Sequence, residues 1–468
     1  MSFYKNLLQY LPEVEQPKHK LSLKTKIYWT LGILVLFYFL SVIPLFGIPH
    51  EQTSRFEALE LILGAKFGKL LTLGIGPIVT ASIILQLLMG AGILKFDNST
   101  EEGKALYTGT YKLLSIFMIL FESFIYVKMG AITALEGYFW VVFFQLVMGG
   151  LIVLFMDEVV KNWGIGSGIS LFIAAGVAQT IFIQTLSPLT SSGEIGFPIT
   201  DEEPVGKIFA ALYYLSTGNV QQLFLASLIP IAVTVGLFFL ITYFQSISVD
   251  LPLSFGRVRG HTIKWPLNFF YTSNIPVILI AALGANFQLW ARLLQNAAEK
   301  SSNIILGFIS EHILGQFEGQ SPISGLVYWI QPVHLFDNLS NLLYAIPHIL
   351  SYALFMIVGS VIFGIFWVQT AGLDPKSQAK NIVKSGLKIP GFRSDQRAIE
   401  MLLKKYITPL TIMGGVSVGC LAAIADTMGA LSSGTGILLL IMIIHQFYQI
   451  LARESLEDFS LLQRFLKK

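Results

Sequence analysis

Long stretches without a single Asp, Glu, Lys or Arg recur along the chain, at residues 27–50, 70–94, 137–156, 162–193, 208–249, 265–291, 338–373, 406–425 and 427–452. A tenth apolar stretch, 113–127, is interrupted only by Glu122. A helix rises about 1.5 Å per residue, so crossing roughly 30 Å of hydrocarbon takes about 20 mostly apolar residues. Runs of this length predict helices rather than barrel strands, because a backbone exposed to lipid must satisfy its own hydrogen bonds. The expected fold is an all-α polytopic membrane protein with ten transmembrane helices. Residues 319–336 are also uncharged, but Pro322, Pro332 and His334 among Gln and Ser make a poor span and predict an external loop. Two runs exceed one crossing. Residues 208–249 divide at Thr217, Gly218 and Asn219 into an outer or interfacial piece and a span kinked near Pro230, where a backbone hydrogen bond is lost; residues 338–373 contain Pro347.

Composition supports this pattern: 13% of the 468 residues are charged and 54% are hydrophobic, about half the charge of an average soluble domain. Ten crossings put both termini on one side. If that side is the cytoplasm, 24 of the 31 Lys and Arg lie inside and 7 outside, while the acidic residues divide 14 and 14, giving +10 within and −7 without. The Lys and Arg bias is what sets orientation, so a multi-pass protein of the cell membrane with both termini cytoplasmic is expected. A basic inner face attracts anionic lipid or RNA. Residues 1–26 do not read as a cleavable signal, because the first span is too long for a signal core. Leu7, Leu8, Leu11, Leu21 and Leu23 interleave there with Lys18, Lys20, Lys24 and Lys26, which fits an amphipathic segment on the inner interface or, given Pro12 and Pro17, a disordered tail. Cys420 is the single cysteine, which excludes an internal disulfide and a cysteine-based metal site.

Ten spans divide five and five at an acidic, proline-containing external loop, 194–207. The halves are then 27–193 and 208–452, with cytoplasmic loops at 250–264 and 374–405 and a cytoplasmic tail at 453–468. An odd number of spans per half inverts one half relative to the other, a recurring membrane design. Pro77 and Pro276 stand near the start of the second helix of each half. Residues 52–69 mix Phe56, Leu59, Leu61, Ile62 and Leu63 with charges. They read either as a half-helix folded back into a cavity or as an external amphipathic helix.

No catalytic constellation is present: the seven histidines are scattered, and GIGSG at 164–168 lacks the residues that complete a phosphate loop. The chain is not expected to be an enzyme or to hold a cofactor or metal. GIGSG fits a break before the fifth span that allows close backbone approach, and Gly415 with Gly419 fits helix packing. Glu122, a carboxylate in mid-span, requires a polar partner; it reads as a gate or proton site, or as a structural hydrogen bond between helices. Thr80, Gln86, Asn286 and Gln288 are the candidate partners. Ile75 with Val79, and Ile169 with Ile173, are i, i+4 pairs that share a helical face, as lipid-facing and core residues also do. Loop 374–405 carries Lys376, Lys380, Lys384, Lys388, Arg393, Arg397, Lys404 and Lys405, and loop 250–264 adds Arg257, Arg259 and Lys264. Orientation alone accounts for such charge, and so does a docking surface for an acidic or nucleic-acid partner.

Six stretches together carry a resemblance: LPEVEQP at 11–17, TLGIGPIVTASIILQLL at 72–88, GIGSGISLFIAAGVAQTIF at 164–182, SNIPVILIAAL at 273–283, FGIFWVQTAGLDPKS at 363–377 and GTGILLL at 434–440. The chain resembles the SecY family, more its archaeal and eukaryotic branch than its bacterial one. The resemblance implies a clamshell of two inverted halves around an hourglass pore that passes unfolded secretory polypeptides and releases apolar segments into lipid. It implies an apolar pore ring of Ile75, Val79, Ile169, Ile173, Ile278 and Leu439, and a lateral gate with a polar cluster of Thr80, Glu122 and Asn286. A plug is implied at 53–67, including Phe56, Leu59, Leu61, Ile62 and Leu63, and a ribosome-docking surface with Arg257, Arg259, Lys376, Lys380, Arg393 and Arg397. The implied partners are a SecE-type gamma subunit, a small beta-type accessory subunit, the ribosome, signal peptides with their nascent chains, and membrane lipid. A secondary transporter also uses inverted repeats, but ion coupling calls for several intramembrane ionisable groups where this sequence offers essentially one.

Overall fold

A computed structural model describes residues 12–49, 68–94, 96, 100–190, 194–255, 262–272, 275–300, 304–318, 321–336, 342–385, 387–388 and 395–466. The first part is α1 (Leu23–Val42), α2 (Gly76–Gly90), α3 (Glu101–Lys128), α4 (Phe139–Trp163) and α5 (Gly168–Leu186). After α6 (Lys207–Thr217) comes α7 (Val220–Ser246), then β1 (Ser248–Phe255), β2 (Thr262–Asn268) and α8 (Ile275–Lys300). Short elements follow: α9 (Ile304–Phe308), β3 (Phe317–Glu318), β4 (Ser321–Pro322) and α10 (Gly325–Ile330). The chain closes with α11 (Leu342–Thr370), α12 (Pro375–Lys384), β5 (Leu387–Lys388), α13 (Gln396–Thr427) and α14 (Gly434–Leu466).

Among the described residues nine helices are long and apolar enough to cross a membrane: α1, α3, α4, α5, α7, α8, α11, α13 and α14. The tenth expected crossing coincides with α2, which has only 15 residues because residues 70–75 form turns and Pro77 sits at the helix start. Fifteen residues rise about 22 Å, less than the roughly 30 Å core. Thr100 caps α3 by accepting from the Gly103 amide, and Asp374 caps α12 by accepting from the Ser377 amide. Gly218, in the left-handed conformation at φ 72°, ends α6 at the predicted break. The expected distortion near Pro230 takes the form of a wide π-turn, Leu223–Leu228, immediately before it. The described residues 321–336 include β4 and the six-residue α10 and no long helix, in keeping with a loop rather than a span.

The helical framework stands, with one addition and one shifted boundary. The protein is not purely helical: β1 pairs antiparallel with β2 and with β5, giving a sheet in the order β2-β1-β5. The residues of β1 and β2 alternate in polarity, and Trp265 to Asn268 lengthened an uncharged run that was read as span. Consequently α8 starts ten residues later than that run and continues through Arg292 to Lys300. Leu7, Leu8 and Leu11 lie outside the described residues, but residues 12–22 are non-helical, and Ser22 caps α1 by accepting from the Thr25 amide. This extended segment is tied to the end of α4, where Asn162 donates to the Val14 carbonyl at 2.8 Å and Trp163 to that of Glu15 at 2.8 Å.

The helices meet along two seams. On one side α5 packs on α14; on the other α2 packs against α8 and α11. A single large apolar cluster runs between them, fed by α1 to α5, α7, α8, α11, α13 and α14. Outward surfaces are greasy, with Val35, Phe39, Phe239 and Leu354 exposed, as expected where acyl chains are the solvent. Gly415 and Gly419 lie against the backbone of Val361 and Ile357, so this pair serves close packing of α13 on α11.

Candidate functional site

The six residues implied as a ring come from four helices that border the two seams: Ile75 and Val79 from the start of α2, Ile169 and Ile173 from α5, Ile278 from α8 and Leu439 from α14. Five are buried, Ile169 is half-buried, and all six belong to or pack on the central apolar cluster. None faces lipid. The i, i+4 spacing places each α2 and α5 pair on one face, and the turn Gly164 to Gly168 aims α5 inward. Gly166, at φ 74°, needs the freedom of a residue without Cβ, and Gly168 sits so near Asp157 that a Cβ would come within 2.6 Å of its Cα.

At the other seam the Asn286 side-chain amide of α8 donates to the Thr80 hydroxyl of α2 at 3.0 Å, and that hydroxyl donates to the Gly76 carbonyl at 2.9 Å. This pair directly bridges the two helices. Glu122 of α3 is buried and faces Thr80. Thr80, Glu122 and Asn286 are thus brought together, whereas Gln86 bonds to Ser82 within its own helix and Gln288 lines a separate cavity of about 620 Å³. That cavity also touches Tyr352, Asp426 and Thr435.

The two basic loops form one surface. β5 of loop 374–405 pairs with the hairpin of loop 250–264 through Ser254 opposite Lys388 and Phe255 opposite Leu387. Beneath them Leu251, Leu267, Ala379, Ile382, Ile399, Leu403 and Ile407 make a small apolar core of their own. The Tyr271 hydroxyl donates to the Leu373 carbonyl at 2.8 Å, and burial, with Asp374 nearby, pushes its pKa above the ordinary phenol value. Lys376 and Arg397 are exposed and Lys380 is half-buried. Arg257, Arg259 and Arg393 lie outside the described residues, as do the plug candidates Phe56, Leu59, Leu61, Ile62 and Leu63.

Several buried charges escaped the reading of the sequence. Lys112 is buried and binds Glu158 at 2.5 Å and the Pro12 carbonyl, anchoring the extended start of the chain. Asp157 and Asp426 look like loop charges, yet they are 1% and 4% exposed at helix ends. Asp157 stands ten residues before Ser167-Gly168 and Asp426 seven before Ser433-Gly434, so no common spacing signals them.

Comparison with known proteins is consistent in direction. The family model described as SecY matches residues 69–448. The protein translocase subunit SecY of Methanocaldococcus jannaschii is 40% identical, with 97% of this chain and 96% of that protein covered. A solved structure described as showing that the plug domain of SecY stabilises the closed state of the translocation channel and maintains a membrane seal superposes with a TM-score of 0.77, at 39% identity and 96% coverage of both chains. Sec61 in the canine ribosome-channel complex from the endoplasmic reticulum gives a TM-score of 0.76 at 40% identity, again covering 96% of each chain.

Proposed function

The chain belongs to the SecY family, and from that premise we propose that it is the pore subunit of a protein-conducting channel, passing unfolded secretory polypeptides and releasing apolar segments sideways into lipid. It is a multi-pass membrane protein. In this reading ten crossings form two inverted halves, 27–193 and 208–452, hinged at 194–207; α2 is the short crossing, and both termini are cytoplasmic. The observation that carries the pore is the convergence of buried aliphatic side chains from α2, α5, α8 and α14 between the two seams. A narrow aliphatic ring excludes ions by dewetting, while its flexible side chains can part for a peptide without reading its sequence. Residues 53–67 would supply the plug.

The test is crosslinking. In a Cys420→Ala background, single cysteines at Ile75, Ile173 and Ile278 should each crosslink to an arrested secretory chain, and a cysteine at lipid-facing Phe239 should not. Crosslinks absent from all three positions, with the chain arrested in the complex, would refute the pore.

The seam between α2 and α8 is the proposed lateral gate, because the Asn286 to Thr80 hydrogen bond spans it. A sufficiently apolar segment stabilises the open gate by gaining lipid contact and displacing that bond. A net polar hydrogen bond contributes about 1 kcal/mol, and shifting a two-state gate needs only a few kcal/mol of differential affinity. Asn286→Leu should therefore change the signal hydrophobicity required for export by roughly one buried methylene, about 0.8 kcal/mol. An unchanged threshold across a graded signal series removes the pair from gating.

On the inner face, the sheet that joins the two loops, with Lys376, Lys380 and Arg397 and the further candidates Arg257, Arg259 and Arg393, is the proposed ribosome-docking surface. The support is the canine relative's assembly and the match of basic side chains to RNA phosphate. A SecE-type gamma subunit and a small beta-type subunit would complete the complex, with the exposed apolar flanks meeting those partners and lipid.

A further inference from the structure

We infer that Asp157 and Asp426 are an inverted pair of positioning residues that set the height of the pore ring, each capping from a neighbouring helix the helix that carries ring side chains. The inference rests on the ring reading above. The first amides of a helix have no partner within it, and a side chain of the residue just before the helix usually serves them. Here that task falls to residues on the preceding transmembrane helix. Asp157, near the end of α4, accepts through Oδ1 from the Ile169 amide at 3.0 Å, with the Ser167 hydroxyl at 3.5 Å, and binds Lys161 at 2.5 Å through Oδ2. The Ser167 side chain makes no cap of its own. Asp426, near the end of α13, accepts through Oδ1 from the Gly434 amide at 2.7 Å and the Thr435 amide at 3.4 Å, and through Oδ2 from the Tyr352 hydroxyl at 2.6 Å.

The arrangements share a plan but differ in partners: α14 also has an ordinary cap, the Ser433 hydroxyl accepting from the Gly436 amide at 3.2 Å, which α5 lacks. Both α5 and α14 begin with a glycine pressed onto the capping helix: a Cβ on Gly168 would stand 2.6 Å from the Asp157 Cα, and one on Gly434 would stand 2.2 Å from the Asp426 backbone nitrogen. In both helices a ring residue is the sixth, Ile173 in α5 and Leu439 in α14. The sixth residue lies about 7.5 Å along the axis from the first. Five proposed crossings separate the two turns, so one carboxylate sets its ring side chain from the inner side and the other from the outer side. A carboxylate here also suits the positive end of the helix dipole. Glycine contact removes slack laterally, and the carboxylate fixes position along the axis. Together they hold the girdle level across both halves.

The experiment measures resting ion flux through the reconstituted complex together with its thermal midpoint. Variants at each site are Asp157→Asn and Asp426→Asn, which keep an Oδ1 acceptor, the corresponding Ala variants, which remove it, and the corresponding Glu variants, which keep the charge but move the carboxyl outward. Ala and Glu should each raise resting flux about fivefold, the effect of losing one well-placed hydrogen bond, and Asn should return it to within about twofold of the parent. Glu variants that seal like the parent, or flux that follows the thermal midpoint regardless of substituent, would overturn the inference. If an Ala variant does not assemble, the Glu and Asn variants decide alone. A variant with Ile173→Gly and Ile278→Gly runs in parallel: if it also fails to leak, the ring reading falls, and if it leaks while the Asp variants do not, only the positioning role falls.

Discussion

A channel carrying both Ile173→Gly and Ile278→Gly is expected to conduct ions at rest. Ile173 and Ile278 are 2% and 8% exposed and come from opposite halves of the proposed clamshell. Each isoleucine is worth about 1.5–3 kcal/mol of apolar burial. Replacing both with hydrogen widens the constriction and lets water wet it, and the barrier to an ion in a dewetted gate falls with wetting. A drop of only about 1.4 kcal/mol multiplies flux about tenfold, so an increase of at least that size is expected in planar-bilayer recordings of the purified complex. Ile362→Gly, at an exposed position on α11, should leave resting conductance at the parent value. A double variant as tight as the parent would show that the seal lies elsewhere.

Gly434→Ala is expected to be strongly destabilising. Its Cβ would fall 2.1 Å from the Ala425 carbonyl carbon and 2.2 Å from the Asp426 nitrogen. Both are backbone atoms, so no side chain can swing aside. Either α14 must shift off α13 or the clash persists, and the cost is on the order of 3 kcal/mol or more, in the range reserved for overpacking and broken caps. Gly176→Ala is the control, since a Cβ there meets nothing within 4 Å, and alanine favours a helix by about 1 kcal/mol over glycine. Thermal unfolding of the detergent-solubilised complex should show a large loss for the first and none for the second. Equal midpoints would mean that the contact between α13 and α14 is far looser than it stands here.

Much of the helical framework was legible before any coordinates because membranes impose a one-dimensional rule: a span must be long, apolar and internally hydrogen-bonded. The break at Gly218 and the distortion before Pro230 were legible for the same local reason. β1 and β2 were missed because uncharged strand residues abutting a span look like more span when only charge is counted. The polar triad could be nominated from the resemblance, but its arrangement could not: Asn286 chooses Thr80, while Gln86 turns back to Ser82. Asp157 and Asp426 stand between uncharged runs, and nothing local marks them as buried, because burial depends on the neighbouring helix, which local pattern does not contain.

By itself the sequence determined that this chain lives in a membrane and roughly where it crosses, because hydropathy acts residue by residue against a planar solvent. Only the tertiary structure decided that two distant basic loops join in one sheet, that aliphatic side chains from four helices share one buried cluster, and that two carboxylates cap helices they do not precede. Each of those depends on segments far apart in the chain, and packing between such segments follows from three-dimensional complementarity that no periodicity along one segment encodes.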